Sequence, residues 1–332
     1  MLQKQQPVGK VAPAAAAVKR VLQLKLRTIN RSFTRFAWLV LAWNFPVVLW
    51  GAFVRASGAG AGCGNHWPLC NGEVLPQSPG VKTLIEFTHR AMTGIDGILV
   101  VILVVWAFRA FPRGHAVRLG ATLSSVFLVT ESLLGAMLVK LEHVAQNPSS
   151  ARAWSLSLHL INTLTLMACL ALTAWWAGGR PGIRVRGRDG VLAVVTLATI
   201  VVLGISGVIA ALGDTLFPAK SFIEGWARDF DTSANIFVRL RIWHPVIAAI
   251  AALWTLYYAI TSAVRRPDLR SLAFFVIGAL VMQLAAGAAN LLLAAPVWMQ
   301  LVHLFLADTL WISLVLLSAA LLAVRPMVPS PR

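Results

Sequence analysis

The sequence predicts an all-α integral membrane protein whose eight transmembrane helices form two pseudo-symmetric four-helix bundles, a parallel internal duplication. Three observations predict it. Of 332 residues, 58% are hydrophobic and 12% charged, against roughly 25% charged in soluble domains. The apolar residues gather into eight stretches near the 20 or so residues that a helix needs to cross a bilayer. The order of Gly, Glu or Gln, and His residues then recurs between the two halves of the chain.

The expected spans are residues 36–56, 84–108, 116–139, 154–177, 190–212, 237–263, 271–294 and 298–323, each bounded by charge, Pro or Gly. Residues 1–35 form a basic tail carrying eight Lys and Arg and no acid. The apolar stretch that follows is long and lacks a small-residue cleavage pattern, so it reads as the first span and not as a signal peptide. The halves then run over 36–177 and 190–323, joined by an arginine-rich linker at 178–189 and closed by a short tail at 324–332.

Charge sets the orientation. Lys and Arg collect in short cytoplasmic segments. The N-terminal tail holds eight and the second loop three (Arg109, Arg113, Arg118). The fourth loop holds four, the sixth three and the C-terminus two, in all 20 of the 29. Both termini are therefore expected in the cytoplasm of a bacterial inner membrane, and the net charge of +17 reports topology instead of nucleic-acid binding. The first, third, fifth and seventh loops face outward, and the first and fifth are the long ones.

Cys63 and Cys70 share the first outer loop, in CGNHWPLC, and Cys169 lies within a span. The oxidising location favours a disulfide. A reactive dithiol and a metal pair completed by His66 are the rival readings. Trp67 in the same loop reads as an interfacial aromatic.

Four of the seven histidines, His89, His159, His244 and His303, fall in the even-numbered spans near their outer ends and so share one depth. His66, His115 and His143 sit in loops. Gly51 precedes His89 by 38 residues and Gly207 precedes His244 by 37. Similarly, Glu131 and Gly135 before His159 correspond to Gln283 and Gly287 before His303. Two imidazoles facing one another inside a four-helix bundle suit a flat apolar macrocycle with an iron at its centre, which points to haem. No matching Cys, Asp or Glu accompanies His244 or His303 to complete a zinc or copper site.

The halves differ in one acid. Glu86 precedes His89 by three residues and shares its helix face, whereas Leu240 and Arg241 occupy that region before His244. The first half therefore reads as reactive and the second as a holding site. A carboxylate in the first turn of a helix is the plainer account of Glu86. Arg55, Arg90, Arg239 and Arg241 lie where guanidinium groups would pair with haem propionates or snorkel to the interface. Asp96, Glu131 and Asp308 lie deeper, as candidates for hydrogen-bond or proton networks.

GAFVRASGAGAGCGNHWPLCNGEVLP followed by IEFTHRAMTG resembles the haem A synthase family. The resemblance covers nearly all eight spans. It implies an oxidoreductase that converts haem O to haem A, oxidising a methyl group to a formyl for use in terminal oxidases. It also implies His244 and His303 as ligands of a resident haem b, and His89 and His159 as the pair serving the substrate haem. Glu86 becomes the essential acid, and Cys63 and Cys70 a disulfide. An electron donor, a haem O-producing farnesyltransferase, membrane lipid and further copies of the chain are the partners compatible with it. The family usually has an amide where Glu131 stands, His66 is unusual, and no cysteine pair occupies the fifth loop. The rival classes are a non-catalytic di-haem b-type cytochrome passing electrons from quinol to a partner, and a transporter or haem chaperone.

Overall fold

The computed structural model describes residues 11–324, with side chains from Arg31 to Val324. The remaining basic residues of the expected tails, Lys4, Lys10, Arg325 and Arg332, lie outside the described residues. Ten α-helices are described: α1 (Val11–Ala56), α2 (Val81–Ala110), α3 (Ala116–Lys140), α4 (Ser150–Ala177), α5 (Gly187–Leu216), α6 (Phe222–Asp229), α7 (Ile236–Leu240), α8 (Trp243–Arg265), α9 (Arg270–Leu292) and α10 (Val297–Leu321). No strand occurs among the described residues.

Eight stretches are long and apolar enough to cross a membrane: Arg31–Ala56 within α1, then α2 to α5, Ile236–Arg265 across α7 and α8, Pro267–Leu292 and α10. In hydrocarbon a backbone must satisfy its own N–H and C=O groups, which an α-helix does internally. The observed spans start up to five residues before the predicted ones. One reason is capping: the Ser149 side chain accepts from Arg152 N–H, so polar residues before the apolar run begin α4 at Ser150, four residues before the expected start. The expected boundary at residue 35 is not a helix end, because α1 runs unbroken from Val11.

Two departures lie in the second half. The fifth loop contains α6, an eight-residue helix capped by the Ser221 side chain on Glu224 N–H. The sixth span is broken into α7 and α8 at Arg241 and Ile242, just before His244. The corresponding stretch of the first half, around Glu86, runs inside an unbroken α2.

Neighbouring helices close two circuits, α1 with α2, α3 and α4, and α5 with α8, α9 and α10. The circuits meet along α1, α4, α5 and α10. A single core spans both, with Phe33, Met167, Leu170, Tyr258, Leu314 and Leu317 buried in it. The central helices are α4 and α10, with 56% and 67% of their most apolar stretches buried, against 17–39% in the other spans. Trp311 Nε1 on α10 donates to Leu164 O on α4 at 2.8 Å, pinning the two where no water competes.

Candidate functional site

His89, His159, His244 and His303 all lie near the ends of α2, α4, α8 and α10 that join the odd-numbered loops. Three of them rest against bare backbone on the preceding helix. A Cβ on Gly51 would lie 2.9 Å from His89 Cε1, one on Gly207 3.1 Å from His244 Cε1, and one on Gly287 3.0 Å from His303 Cε1. Glycine is needed at these positions because any side chain would displace the ring. Gly135, on the helix before His159, has nothing within 4 Å of such a Cβ.

His244 and His303 face each other with ring centres 6.4 Å apart and planes at 89°. That separation leaves roughly the room for two metal–nitrogen bonds of about 2 Å each between the rings. Ser206 Oγ lies 2.7 Å from Leu203 O and 2.9 Å from His244 Nδ1. With its one proton directed at the carbonyl, the hydroxyl accepts from Nδ1–H, an arrangement that leaves the Nε2 lone pair for a ligand. On α9, Gln283 Nε2 lies 3.3 Å from His303 Nε2, an amide donor marking an available lone pair. Nδ1 of His89, His159 and His303 is buried without a hydrogen-bond partner.

These features fit haem. The imidazoles are half-buried, backbone is bared at three of them, and no group of three or more His, Cys, Asp or Glu able to hold a bare metal ion occurs among the described residues. A pair of imidazole donors needs a ligand that brings the rest of its metal coordination with it, as a porphyrin does.

Glu86 is buried at 3% exposure. The helix begins at Val81, so Glu86 lies beyond its first turn, and the helix-start account is corrected. The carboxylate is instead held between loop and helix: Oε2 accepts from Cys63 N–H at 2.9 Å, and Oε1 pairs with Arg90 Nη2 at 2.5 Å. Arg90 Nη1 donates in turn to His66 O and Leu69 O, both at 2.6 Å. Cys63 and Cys70 form a disulfide that ties this loop, and neither thiol is left for a metal with His66. The loop presses closely on α2, because a Cβ at Gly62 would lie 2.4 Å from Lys82 O. Thr83 Oγ1 also donates to Gly62 O at 2.8 Å.

Three of the four guanidinium groups proposed for propionates, Arg55, Arg90 and Arg241, have protein partners. Arg55 reaches from α1 into the second half, donating to Ala211 O, Thr215 Oγ1 and Gln300 Oε1. Arg241 pairs with Asp214 at 2.9 Å and Asp229 at 2.5 Å. Asp96 accepts from Asn44 Nδ2 at 3.0 Å inside the first half. Asp308 is buried with Oδ2 unpartnered. Ser206 and the Asp214 and Asp229 pair escaped the sequence reading. Ser206 was within reach, since it precedes Gly207 as Trp50 precedes Gly51.

The fold and site together define a multi-pass helical membrane protein with four half-buried histidines at the same end of its even-numbered spans. The chain belongs to the COX15-CtaA family, described as cytochrome oxidase assembly protein, which matches residues 34–315 and is the haem A synthase family of the motif resemblance. A protein named heme A synthase from Exiguobacterium sp. is 26% identical over 84% of this chain and 89% of its own length. A second, from Exiguobacterium sibiricum, is 38% identical over 32% of this chain and 36% of its own. A protein named protoheme IX farnesyltransferase from Thermus thermophilus is 48% identical over 86% of this chain, but the match covers only 48% of that protein. The chain therefore spans about half the length of these Thermus relatives.

Proposed function

We propose that the chain is a membrane oxidoreductase of haem A biosynthesis that takes haem O as substrate and oxidises one methyl group to a formyl. The observation that carries this reading is the buried acid three residues before one histidine and not before its counterpart. Glu86, three residues before His89 on α2, is held by Cys63 N–H and Arg90, while the second half places Arg241 three residues before His244.

In this reading His89 and His159 receive haem O, and His244 and His303 hold a resident haem b. That resident haem supplies one-electron transfer chemistry when bound. Methyl-to-formyl oxidation, R–CH3 + O2 → R–CHO + H2O overall under aerobic conditions, passes electrons and protons from the methyl to dioxygen, and Glu86, three residues before His89, is the group able to take up a proton on the way. Arg90 and Cys63 N–H hold its carboxylate in place, and the disulfide loop limits water at the mouth of the site. Tethered loops on this face would keep substrate from leaving between oxidation steps. The arginines steady these loops and the two halves, and propionate pairing would draw on donors they do not use here.

The charge distribution supports both termini in the cytoplasm of a bacterial inner membrane, with the histidines toward the outer face. The matching order of Gly and His supports a duplicated four-helix ancestor with domains at 36–177 and 190–323. The Thermus relatives, named for farnesylation of protohaem and twice the matched length, support a haem O-producing farnesyltransferase as a working partner. An electron-transfer partner is compatible with this reading, and self-association is compatible with the exposed apolar faces.

The four histidines by themselves serve a di-haem electron-transfer cytochrome equally well, and the placement of Glu86 supports the enzyme over it. The test is to coexpress the chain with a haem O producer under aerobic conditions, extract the haem and read its mass. Haem A is expected only when the chain is present, and haem O alone would reject the enzyme in favour of the cytochrome or a haem carrier.

A further inference from the structure

Glu131 stands where the second half has Gln283, each four residues before a glycine and on the helix that precedes a site histidine. The two side chains meet their histidines differently. Gln283 approaches His303 at Nε2, the atom that would face a ligand. Glu131 Oε1 lies 3.5 Å from His159 Nδ1, on the far side of the ring, and that nitrogen has no hydrogen-bond partner.

The carboxylate is itself held. Asn162 Nδ2 donates to Oε2 at 2.6 Å, and Thr163 Oγ1 donates to Oε1. Thr130 Oγ1 donates to Asn162 Oδ1 at 2.6 Å, which sets the amide so that its NH₂ faces Glu131. By the same spacing the second half has Met282, Leu306 and Ala307 where the first has Thr130, Asn162 and Thr163. The whole polar set is therefore present in one half and replaced by apolar side chains in the other. The rings also sit differently, since His303 lies on Gly287 and His159 stands clear of Gly135.

We infer that Glu131 is a positioning residue for the substrate pair: with haem bound it accepts a hydrogen bond from His159 Nδ1–H, fixes that ring with Nε2 toward the substrate iron, and strengthens it as a donor. The inference rests on the haem reading above. A carboxylate behind a metal-bound imidazole raises its basicity and fixes its tautomer, and a stronger donor favours the ferric form. The second pair has a hydroxyl, Ser206, behind His244 and nothing behind His303, so the two sites would be poised at different potentials.

The test uses the purified full chain in detergent with haem O added as probe, followed by absorption and by redox titration of each haem. In Glu131→Gln the ferric-to-ferrous ratio of the first-half haem at a fixed potential is expected to fall about tenfold, 59 mV for one electron. Its affinity for haem O is expected to fall about 10–100-fold. The second-half haem should be unmoved. Thr163→Val removes a donor to the same carboxylate, leaves it a stronger acceptor for His159, and should move the potential the opposite way by a smaller factor. Shifts of the same sign in both variants indicate a merely structural role and overturn the inference. So does an unchanged potential in Glu131→Gln that still binds two haems. A wild-type chain that takes up only one haem overturns the two-site reading itself, and the inference with it.

Discussion

At equivalent positions three residues before a site histidine, the first half carries a buried acid and the second a base. Glu86 draws its neutralising partner, Arg90, from its own helix and takes a further N–H from the disulfide loop. Arg241 draws two acids, Asp214 from α5 and Asp229 from α6. Both clusters satisfy buried charge, as burial in an apolar surround requires. They differ in what is left over. The second arrangement spends all its charge on holding α5, α6 and the break between α7 and α8 together. The first leaves a carboxylate three residues before a histidine whose Nδ1 has no partner. One scaffold thus supports two electrostatic environments, and the proposed division into a resident site and a reacting site rests on charge more than on shape.

The largest expected effect tests whether the pairs are independent. His244→Ala should abolish the low-spin haem absorbance of protein purified from cells making no haem O, because one axial donor of the resident pair is gone. His89→Ala should leave that absorbance in place. If His89→Ala removed it to the same degree, the division between halves would fail.

Glu86→Gln keeps the shape and the capacity to accept from Cys63 N–H, but it cannot take a proton. Haem A yield is expected to drop about 10²–10⁴-fold, the usual range for loss of a general base, with the second-half haem spectrum unchanged. Parent-level haem A from this variant would remove Glu86 from the chemistry and leave it as the anchor of the loop.

The legible part of this molecule is the part governed by the bilayer. About 20 apolar residues per crossing is a demand that composition alone reveals, and all eight spans could be placed to within about five residues. The histidines and Glu86 were legible for a related reason, since ionisable groups are so costly in these segments that each stands out. What escaped were contacts between residues far apart in the chain. Arg55 read as a propionate partner, yet its bonds run to Ala211, Thr215 and Gln300, 156 to 245 positions away. The break before His244 was hidden because the apolar run continues across α7 and α8, and hydropathy does not register where the backbone bonds shorten to three residues, as from Arg241 N–H to Val238 O and from His244 N–H to Arg241 O. Glu131 drew notice as an acid within a span, but which nitrogen of His159 it faces depends on how α3 and α4 pack.

The smallest expected effect separates the two rings that share a helix pattern. Gly287→Ala puts a methyl 3.0 Å from His303 Cε1, so either the ring or α9 must give way. Overpacking of this kind costs about 1–3 kcal/mol, which corresponds to roughly a five- to hundredfold loss of haem retention in the second half. Gly135→Ala meets open space, and alanine is the better helix former by up to about 1 kcal/mol, so haem binding in the first half should hold steady. Measured by haem content after dilution of purified protein, a loss for Gly287→Ala alone would mean that His303 is set by contact with backbone and His159 by its carboxylate. Equal losses would mean that α3 closes on His159 when haem enters, and that the two rings are held in the same way once the sites are filled.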